Sequence, residues 1–409
     1  MNTQLFKMEY TISNISTIIS GTLHGSSNNS IKDLVIDSRK LGNPSSSLFF
    51  AIKGERHDGH IYINDLHHKG VLHFVVNALP QNHEQLKNAC FIVVADTLHA
   101  LQKLCSYHRK QYHIPVIGIT GSNGKTIVKE WLYQLLREDK NIVRSPKSFN
   151  SQVGVPLSVW QMNEEHTLGI FEAGISMLHE MELLEPIIQP TLGIITNIGK
   201  AHDENFKNPQ EKVEEKLKLF INTQELIYCK DYLLIHNEVS TNEAFKDLKV
   251  FTWSKKVKAD LLIGRITKSA VNTEIQGIYK NVFISIVIPF TDEASIENTI
   301  HYWALMLHLG YDNKIISERM LLLSPIAMRL EMKEGINNCS IINDSYNSDI
   351  GSLAIALDFL NQQKQHPKKT LVFSDILQSG QSNEMLYKEV ADLIQKKGIS
   401  RLIGIGEGI

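Results

Sequence analysis

Hydrophobic and polar positions divide the chain into three stretches of different rhythm. In the first, short β-branched and aromatic runs recur at 31–36, 48–52, 71–76 and 91–95, which predicts the strands of a small mixed domain. Gly21 and Gly70 fall where helix C-caps are expected. Residues 98–112 have helical periodicity and lead to Ile114-Pro115, where the residue before proline is driven out of helical conformation. From Val116 the order becomes strand, loop, helix. VIGIT (116–120) is a β-branched run, and 125–137 is helical. Further apolar runs follow at 168–171, 192–196 and 225–228, with helices at 209–222 and 294–309, the latter amphipathic and ending at Gly310. Strands without alternation, separated by helices, predict a parallel sheet covered on both faces. The third stretch has strands at 340–343 and 371–373 around a helix at 352–362. RLIGIGEGI (401–409) then reads as a strand entering a loop. The expected fold is α/β with three domains: 1–112, small and mixed; 113–328, a central parallel sheet; and 329–409, Rossmann-like and incomplete, so that the natural chain is expected to continue.

The length of 409 residues agrees with two to three domains at roughly 150 residues each. Hydrophobic residues at 43% and charged residues at 21% are ordinary for a soluble globular protein. Lys+Arg (42) and Asp+Glu (44) nearly cancel, which argues against a broad nucleic-acid footprint. Cys90, Cys105, Cys229 and Cys339 form no CxxC pair, so free thiols in a reducing cytoplasm are expected rather than a disulfide framework or zinc ribbon. The longest apolar stretch, near Val282–Phe290, is well short of the ~20 residues that cross a bilayer. The N-terminal sixteen residues lack a signal-peptide core. A cytoplasmic protein with neither membrane nor nucleic-acid partner is expected, with a monomer as the default state.

GITGSNGKT (118–126) lies between a predicted strand and a predicted helix, the context a phosphate loop requires. Glycines allow backbone N–H groups to point at phosphate oxygens, and the helix N-terminus adds a favourable dipole. Gly121, Ser122, Asn123 and Gly124 would line the loop, Lys125 would reach the β- and γ-phosphates, and Thr126 would offer a hydroxyl to Mg²⁺. The strict pattern places a glycine where Ile119 stands, so the loop is a variant. ATP or GTP binding follows from motif and context. Glu172 ends one apolar strand and His202 follows another, and ligands of open α/β sheets bind at such strand ends. Taken singly, Glu172 also fits a solvated carboxylate, and His202 a packed or surface histidine. Lys216 borders the apolar face of the 209–222 helix, where a snorkelling lysine is the ordinary case, while Lys218 points away.

Together these residues resemble the Mur ligases, ATP-dependent amide-bond formers of peptidoglycan, and hence cell-wall, synthesis. The resemblance lies in the longer loop GITGSNGKT, Glu172 at a strand end, and ITNIGKAH (195–202) followed fourteen residues later by Lys216. It extends to DSR (37–39), FFAIKGERHDGH (49–60), SFNSQVGVP (148–156), RLE (329–331) and NDSYNSD (343–349). These segments best match the branch that adds D-alanyl-D-alanine to UDP-N-acetylmuramoyl-tripeptide, in particular bacterial forms fused to an alanine racemase. The resemblance implies a phosphate-loop ATPase as the central domain and an acyl-phosphate intermediate. It implies ATP-binding roles for residues 121–126, Asn298, Arg329, Asp344 and Tyr346. Two Mg²⁺ would be held by Thr126, Glu172, His202 and a carbamylated Lys216. Catalytic roles would fall to Lys125, His202 and Lys216. The uridine-nucleotide substrate would meet Asp37, Ser38, Arg39, Lys53, Gly54, Asp58, Gly59 and His60, and Asn150 would orient phosphates or substrate. Ser295, Lys218, YNSDI (346–350) and SDILQSG (374–380) depart from the family pattern. A folylpolyglutamate-synthase-like ligase, opposed by the DSR and DGH segments, and a non-catalytic nucleotide-binding regulator are the competing readings.

Overall fold

The computed structural model describes residues 10–54, 57–199, 205–327, 330–345, 349–363, 365–376, 379 and 381–409. They form two compact units. One comprises the chain up to Pro115 with 143–171 and 183–189; the other comprises 116–142, 172–182 and 190–409.

The first unit has a five-stranded sheet in the order Thr22–His24, Cys90–Val93, His73–Val76, Ser47–Phe50, Asp33–Val35. All neighbours are parallel except the first pair. The two inner runs SLFF and HFVV are buried at every position, as a sheet covered on both faces requires. Phe49, Phe74, Leu66 and Phe91 pack in one cluster on it. The run predicted at 31–36 is divided. Ser30–Ile31 pairs antiparallel with Tyr10–Thr11, and Asp33–Val35 joins the sheet. Gly70 takes φ +93 after helix Ile63–His68, as expected of a cap. At the end of helix Ile12–Ile18 the left-handed residue is Ser20 (φ 57), not Gly21. Gly21 is needed for closeness instead, since a Cβ there would lie 2.3 Å from Ile92 Cγ2.

Helix Thr97–Arg109 starts at Asp96, whose side chain accepts from His99 N, and buries His108. Tyr10 Oη lies 2.8 Å from His108 Nδ1, and Nε2 lies 3.1 Å from the Met162 carbonyl. With Nε2 donating and Nδ1 accepting, the neutral ring is satisfied. Burial brings its pKa down to about 4. The unfolded chain, with a histidine pKa near 6.5, therefore binds this proton first on acidification. The contribution to stability is complete above pH ~6.5 and is lost as pH falls toward ~4, by up to about 3 kcal/mol. Denaturant titrations at pH 7 and pH 4.5 should show this drop, and His108→Gln should remove that part of it. Equal pH dependence of the two proteins would refute the neutral assignment.

In the second unit, seven strands follow one another in the order Val282–Ile288, Thr273–Tyr279, Leu261–Lys268, Lys249–Ser254, Glu225–Cys229, Leu192–Ile195, Val116–Thr120. The last five are parallel neighbours; the apolar runs predicted three of them, and Lys249–Ser254 and Leu261–Lys268 were not foreseen. The first three are joined antiparallel, an extension the sequence reading did not foresee. Its hairpin turn, Lys280-Asn281, has both residues at positive φ, the type I′ requirement. Helix Glu293–His308 is not amphipathic as expected. Trp303, Tyr302, Leu305 and Met306 are all inaccessible, because the helix packs against both helix Lys125–Leu136 and the strands Glu225–Cys229 and Lys249–Ser254. Further on, Glu331–Glu334 and Ser340–Asn343 form a hairpin, and Thr370–Ser374 pairs in parallel with Arg401–Ile405. Helices Ile350–Gln362 and Asn383–Lys396 cover this pair through Leu353, Leu357, Phe373, Leu386 and Val390. Among the described residues, no helix is long and apolar enough to cross a membrane.

Candidate active site

The phosphate loop leaves the wholly buried strand Val116–Thr120 and enters helix Lys125–Leu136. Gly121 (φ +136) and Gly124 (φ +85) hold conformations that L side chains rarely adopt. A Cβ at Gly121 would lie 2.0 Å from Thr196 Oγ1, and one at Gly124 would lie 2.2 Å from Asn298 Oδ1. The segment after strand Leu192–Ile195 braces the loop. Ser122 N donates to the Asn197 carbonyl (2.8 Å), Asn123 N to Asn197 Oδ1 (3.0 Å), and Thr196 Oγ1 to the Asn123 carbonyl (2.6 Å). Lys125 Nζ folds over the loop onto the carbonyls of Gly121 (2.7 Å) and Ser122 (2.9 Å). Buried Asn298 touches the loop, whereas Ser295 serves its own helix, its N–H donating to the N-cap Asp292 at 2.7 Å.

Glu172 is inaccessible to solvent, so the reading of a solvated carboxylate does not hold. Its Oε2 accepts from Thr126 Oγ1 at 2.9 Å, which brings together the two residues expected at the first Mg²⁺. Its Oε1 is 3.3 Å from Lys129 Nζ. Lys129 is also fully buried and lies 3.1 Å from Glu130 Oε1. The sequence reading missed Lys129, although its position three residues after Thr126 puts both on one helix face. A hydroxyl and a buried carboxylate beside a phosphate loop are hard oxygen donors suited to Mg²⁺, which takes few protein ligands and fills its shell with phosphate oxygens and water. Among the described residues, no group of three or more His, Cys, Asp or Glu gathers.

Lys216 sits on helix Pro209–Leu217, at 3% exposure, with Nζ 3.3 Å from the Gly121 carbonyl. It does not snorkel. Burial first, then the ammonium groups of Lys125 and Lys212, hold its pKa well below the lysine range. Lys218, by contrast, reaches Glu182 Oε1 (2.5 Å) and Glu215 Oε2 (2.8 Å), so the departure from the family pattern is matched by acidic partners. Lys212, also unforeseen, is buried and donates to the Gly199 carbonyl at 2.8 Å. His202, Arg329 and Tyr346 lie outside the described residues. Asp344 accepts from Leu330 N at 3.2 Å. Asp349 caps helix Ile350–Gln362 in a capping box with Ser352. That helix begins beside the phosphate loop, since a Cβ at Gly351 would lie 3.7 Å from Asn123 Nδ2.

The expected substrate residues lie in the first unit. Asp37 receives the Arg39 guanidinium in two bonds of 2.9 Å and the Arg39 N–H at 3.0 Å, which lowers its pKa to about 2. Ser38 is the middle residue of this turn. Asp58 accepts from His60 N (3.0 Å) and His60 Nδ1 (2.6 Å), and Asn77 N donates to His60 Nε2 (3.1 Å), which fixes the ring's tautomer and direction. The Lys53 and Asp58 backbones pair in an isolated antiparallel β-bridge, and Gly54 N donates to the His57 carbonyl. Gly59 passes so close to the strand end that a Cβ would lie 2.9 Å from Ile52 N. Asn150 is in the same unit, its N–H turned to the Ser148 carbonyl.

Comparison with known proteins matches this arrangement. The Mur ligase middle-domain profile fits residues 119–306, and the profile of the Mur ligase family catalytic domain fits residues 30–109. The UDP-N-acetylmuramoyl-tripeptide--D-alanyl-D-alanine ligase of Bacillus subtilis is 29% identical over 97% of this chain and 85% of its own length. Its counterpart in Rickettsia prowazekii is 30% identical over 88% of this chain and 79% of its own. The crystal structure of MurF from Acinetobacter baumannii superposes with a TM-score of 0.85, at 24% identity, over 98% of this chain and 87% of that one. Identity at that level, spread along most of both chains and joined to the same fold, shows that the chain belongs to the Mur ligase family.

Proposed function

We propose that this chain is an ATP-dependent, ADP-forming ligase that adds D-alanyl-D-alanine to UDP-N-acetylmuramoyl-tripeptide, as the names of its relatives state of them. The observation that carries the reading is the convergence of Lys125, the Thr126–Glu172 pair and buried Lys216 on one phosphate loop. Amide formation from a carboxylate and an amine is uphill in water, so the carboxylate must first be activated. An oxygen of the tripeptide's terminal carboxylate attacks the γ-phosphorus of ATP, and the bond to the β-phosphate oxygen breaks, releasing ADP. The dipeptide's amine nitrogen then attacks the acyl carbon. Phosphate leaves, and the amine gives up a proton.

Two anions approach in the first step. Lys125 offsets their repulsion and stabilises the phosphoryl group in flight. Mg²⁺ at Thr126 and Glu172 would add to that charge, and a second ion would belong to His202 and Lys216 as carbamate. The depressed basicity of Lys216 supports the carbamate, because only a neutral amine attacks CO₂. Residues 121–124 and Asn298 would cradle the nucleotide, with Arg329, Asp344 and Tyr346 closing on it. Asp37, Ser38, Arg39, Lys53, Gly54, Asp58, Gly59, His60 and Asn150 would bind the uridine-nucleotide substrate. The domain limits 1–112, 113–328 and 329–409, a cytoplasmic monomer, and a fused alanine racemase are part of the same proposal, the last on motif likeness alone.

Phosphate release with ATP, Mg²⁺ and UDP-muramoyl tripeptide tests it, run with and without D-alanyl-D-alanine. Dipeptide-dependent release and a product heavier by one dipeptide less water are expected. Release that depends on folate and glutamate, or ATP binding without turnover under any acceptor, would overturn the assignment in favour of one of the two competing readings.

A further inference from the structure

Two buried lysines on helix Pro209–Leu217 face the phosphate loop, and the mechanism above uses one of them. Lys212 and Lys216 are one turn apart and share a helix face. Their exposures are 1% and 3%. Lys212 Nζ donates to the Gly199 carbonyl at 2.8 Å, and Ser122 Oγ of the phosphate loop donates to that same oxygen at 3.3 Å. The Phe206 ring stands 5.7 Å from Lys212 Nζ on another side. One carbonyl thus ties together the phosphate loop, the segment that leads toward His202, and the helix that carries Lys216.

The charges around Lys216 point the same way. Its cationic neighbours are Lys125 and Lys212, and its acidic neighbours are Glu215 and Glu180. Glu215 is occupied by Met181 N (3.0 Å) and Lys218 (2.8 Å). Glu180 is occupied by Ser176 N (2.5 Å) and Met177 N (2.8 Å). Two ammonium groups a turn apart in a protein interior repel each other, and burial increases the cost. An ammonium beside a carbamate attracts it.

We propose that Lys212 is a positioning residue for this reaction, the resident counter-charge that stabilises the Lys216 carbamate and keeps its helix registered on the phosphate loop through Gly199. The proposal rests on the carbamate reading above. In the covalent step the Lys216 nitrogen bonds to the carbon of CO₂, a C=O electron pair moves to oxygen, and the displaced N–H proton goes to water. Lys212 forms no bond and takes no proton.

The test uses the full chain equilibrated with ¹³C-bicarbonate, with the carbamate carbon read by ¹³C NMR and Lys216→Ala as blank. Wild type should show the signal. Lys212→Met should need at least about ten times more bicarbonate for half-occupancy, with ligase activity rising in parallel as bicarbonate is added. Lys212→Arg should return both to within about threefold of wild type. Lys212→Gln repeats the test if the Met variant fails to fold. Wild-type carbamate occupancy in the neutral variants would overturn the counter-charge role, as would activity lost beyond rescue by bicarbonate. A wild-type signal no greater than the blank would instead overturn the carbamate reading itself, and this proposal with it.

Discussion

Lys125→Ala should reduce ADP formation to about a thousandth of the wild-type rate or less, while the thermal midpoint stays essentially unchanged. The size follows from what the ammonium is placed to do. A single preorganised charged or hydrogen-bonding group at a developing anion contributes about 10²–10³ in rate, and Lys125 would contact the phosphoryl group throughout transfer. The structural half follows from the loop's other supports. Ser122 and Asn123 keep their bonds to Asn197 and Thr196 when the lysine's bonds to the Gly121 and Ser122 carbonyls are lost. Lys125 itself donates to the loop carbonyls of Gly121 and Ser122. Lys125→Arg should rescue little, because a planar fork cannot occupy the compact position of an ammonium above the loop. Coupled-enzyme detection of ADP beside a thermal melt separates the two effects. More than a tenth of wild-type turnover in Lys125→Ala would show that the lysine does not face the transferring phosphate.

What could be read from the chain was the chemistry written in consecutive residues. GITGSNGKT, the strand-end Glu172 and the DSR and DGH turns are local patterns, and the backbone contacts they require are local as well. The parallel strands were visible because burial on both faces forces unbroken apolar runs. Lys249–Ser254, Leu261–Lys268 and Thr273–Tyr279 were not, because polar and charged residues such as Lys249, Arg265, Lys268 and Glu274 interrupt their apolar positions, and the apolar run at 282–290 was weighed only as a membrane span. Thr273–Tyr279 is buried only at every second residue over Thr273, Ile275 and Gly277. Lysines were the harder case. Helical periodicity could set Lys216 at the edge of an apolar face, but only tertiary packing decides whether such an edge meets water or a phosphate loop. Lys129 and Lys212 escaped notice for the same reason, since lysine is so seldom fully buried that the sequence-level expectation is solvent. Each is explained by a partner distant in sequence, Glu172 for one and Gly199 for the other.

The contrast between Lys216 and Lys218 is the second large effect. Lys216→Ala should slow ligation by about a hundredfold or more, comparable to loss of one electrostatic group at the reacting phosphate. Lys218→Ala should leave the rate within about twofold. The two residues share a helical stretch and a charge type, and composition cannot separate them. Their surroundings do. Lys216 is buried with its amine directed at the Gly121 carbonyl, while Lys218 is partly exposed and engaged by Glu182 and Glu215. The pair with Glu182 is exposed and contributes about 0–1 kcal/mol to stability, whereas Glu215 is buried, so losing Lys218 costs stability there and nothing direct in chemistry. If Lys216 acts as a carbamate, short carboxylic acids added in solution should restore part of the activity to Lys216→Ala, because they supply the missing anion without the lysine. The same acids should do nothing for Lys125→Ala, which lacks a cation. Steady-state rates of the three variants, each with and without added formate or acetate, decide the matter. Equal rates for the Lys216 and Lys218 variants would remove the carbamate assignment. Rescue of Lys125→Ala by the acids would show that the anion acts somewhere other than the Lys216 position.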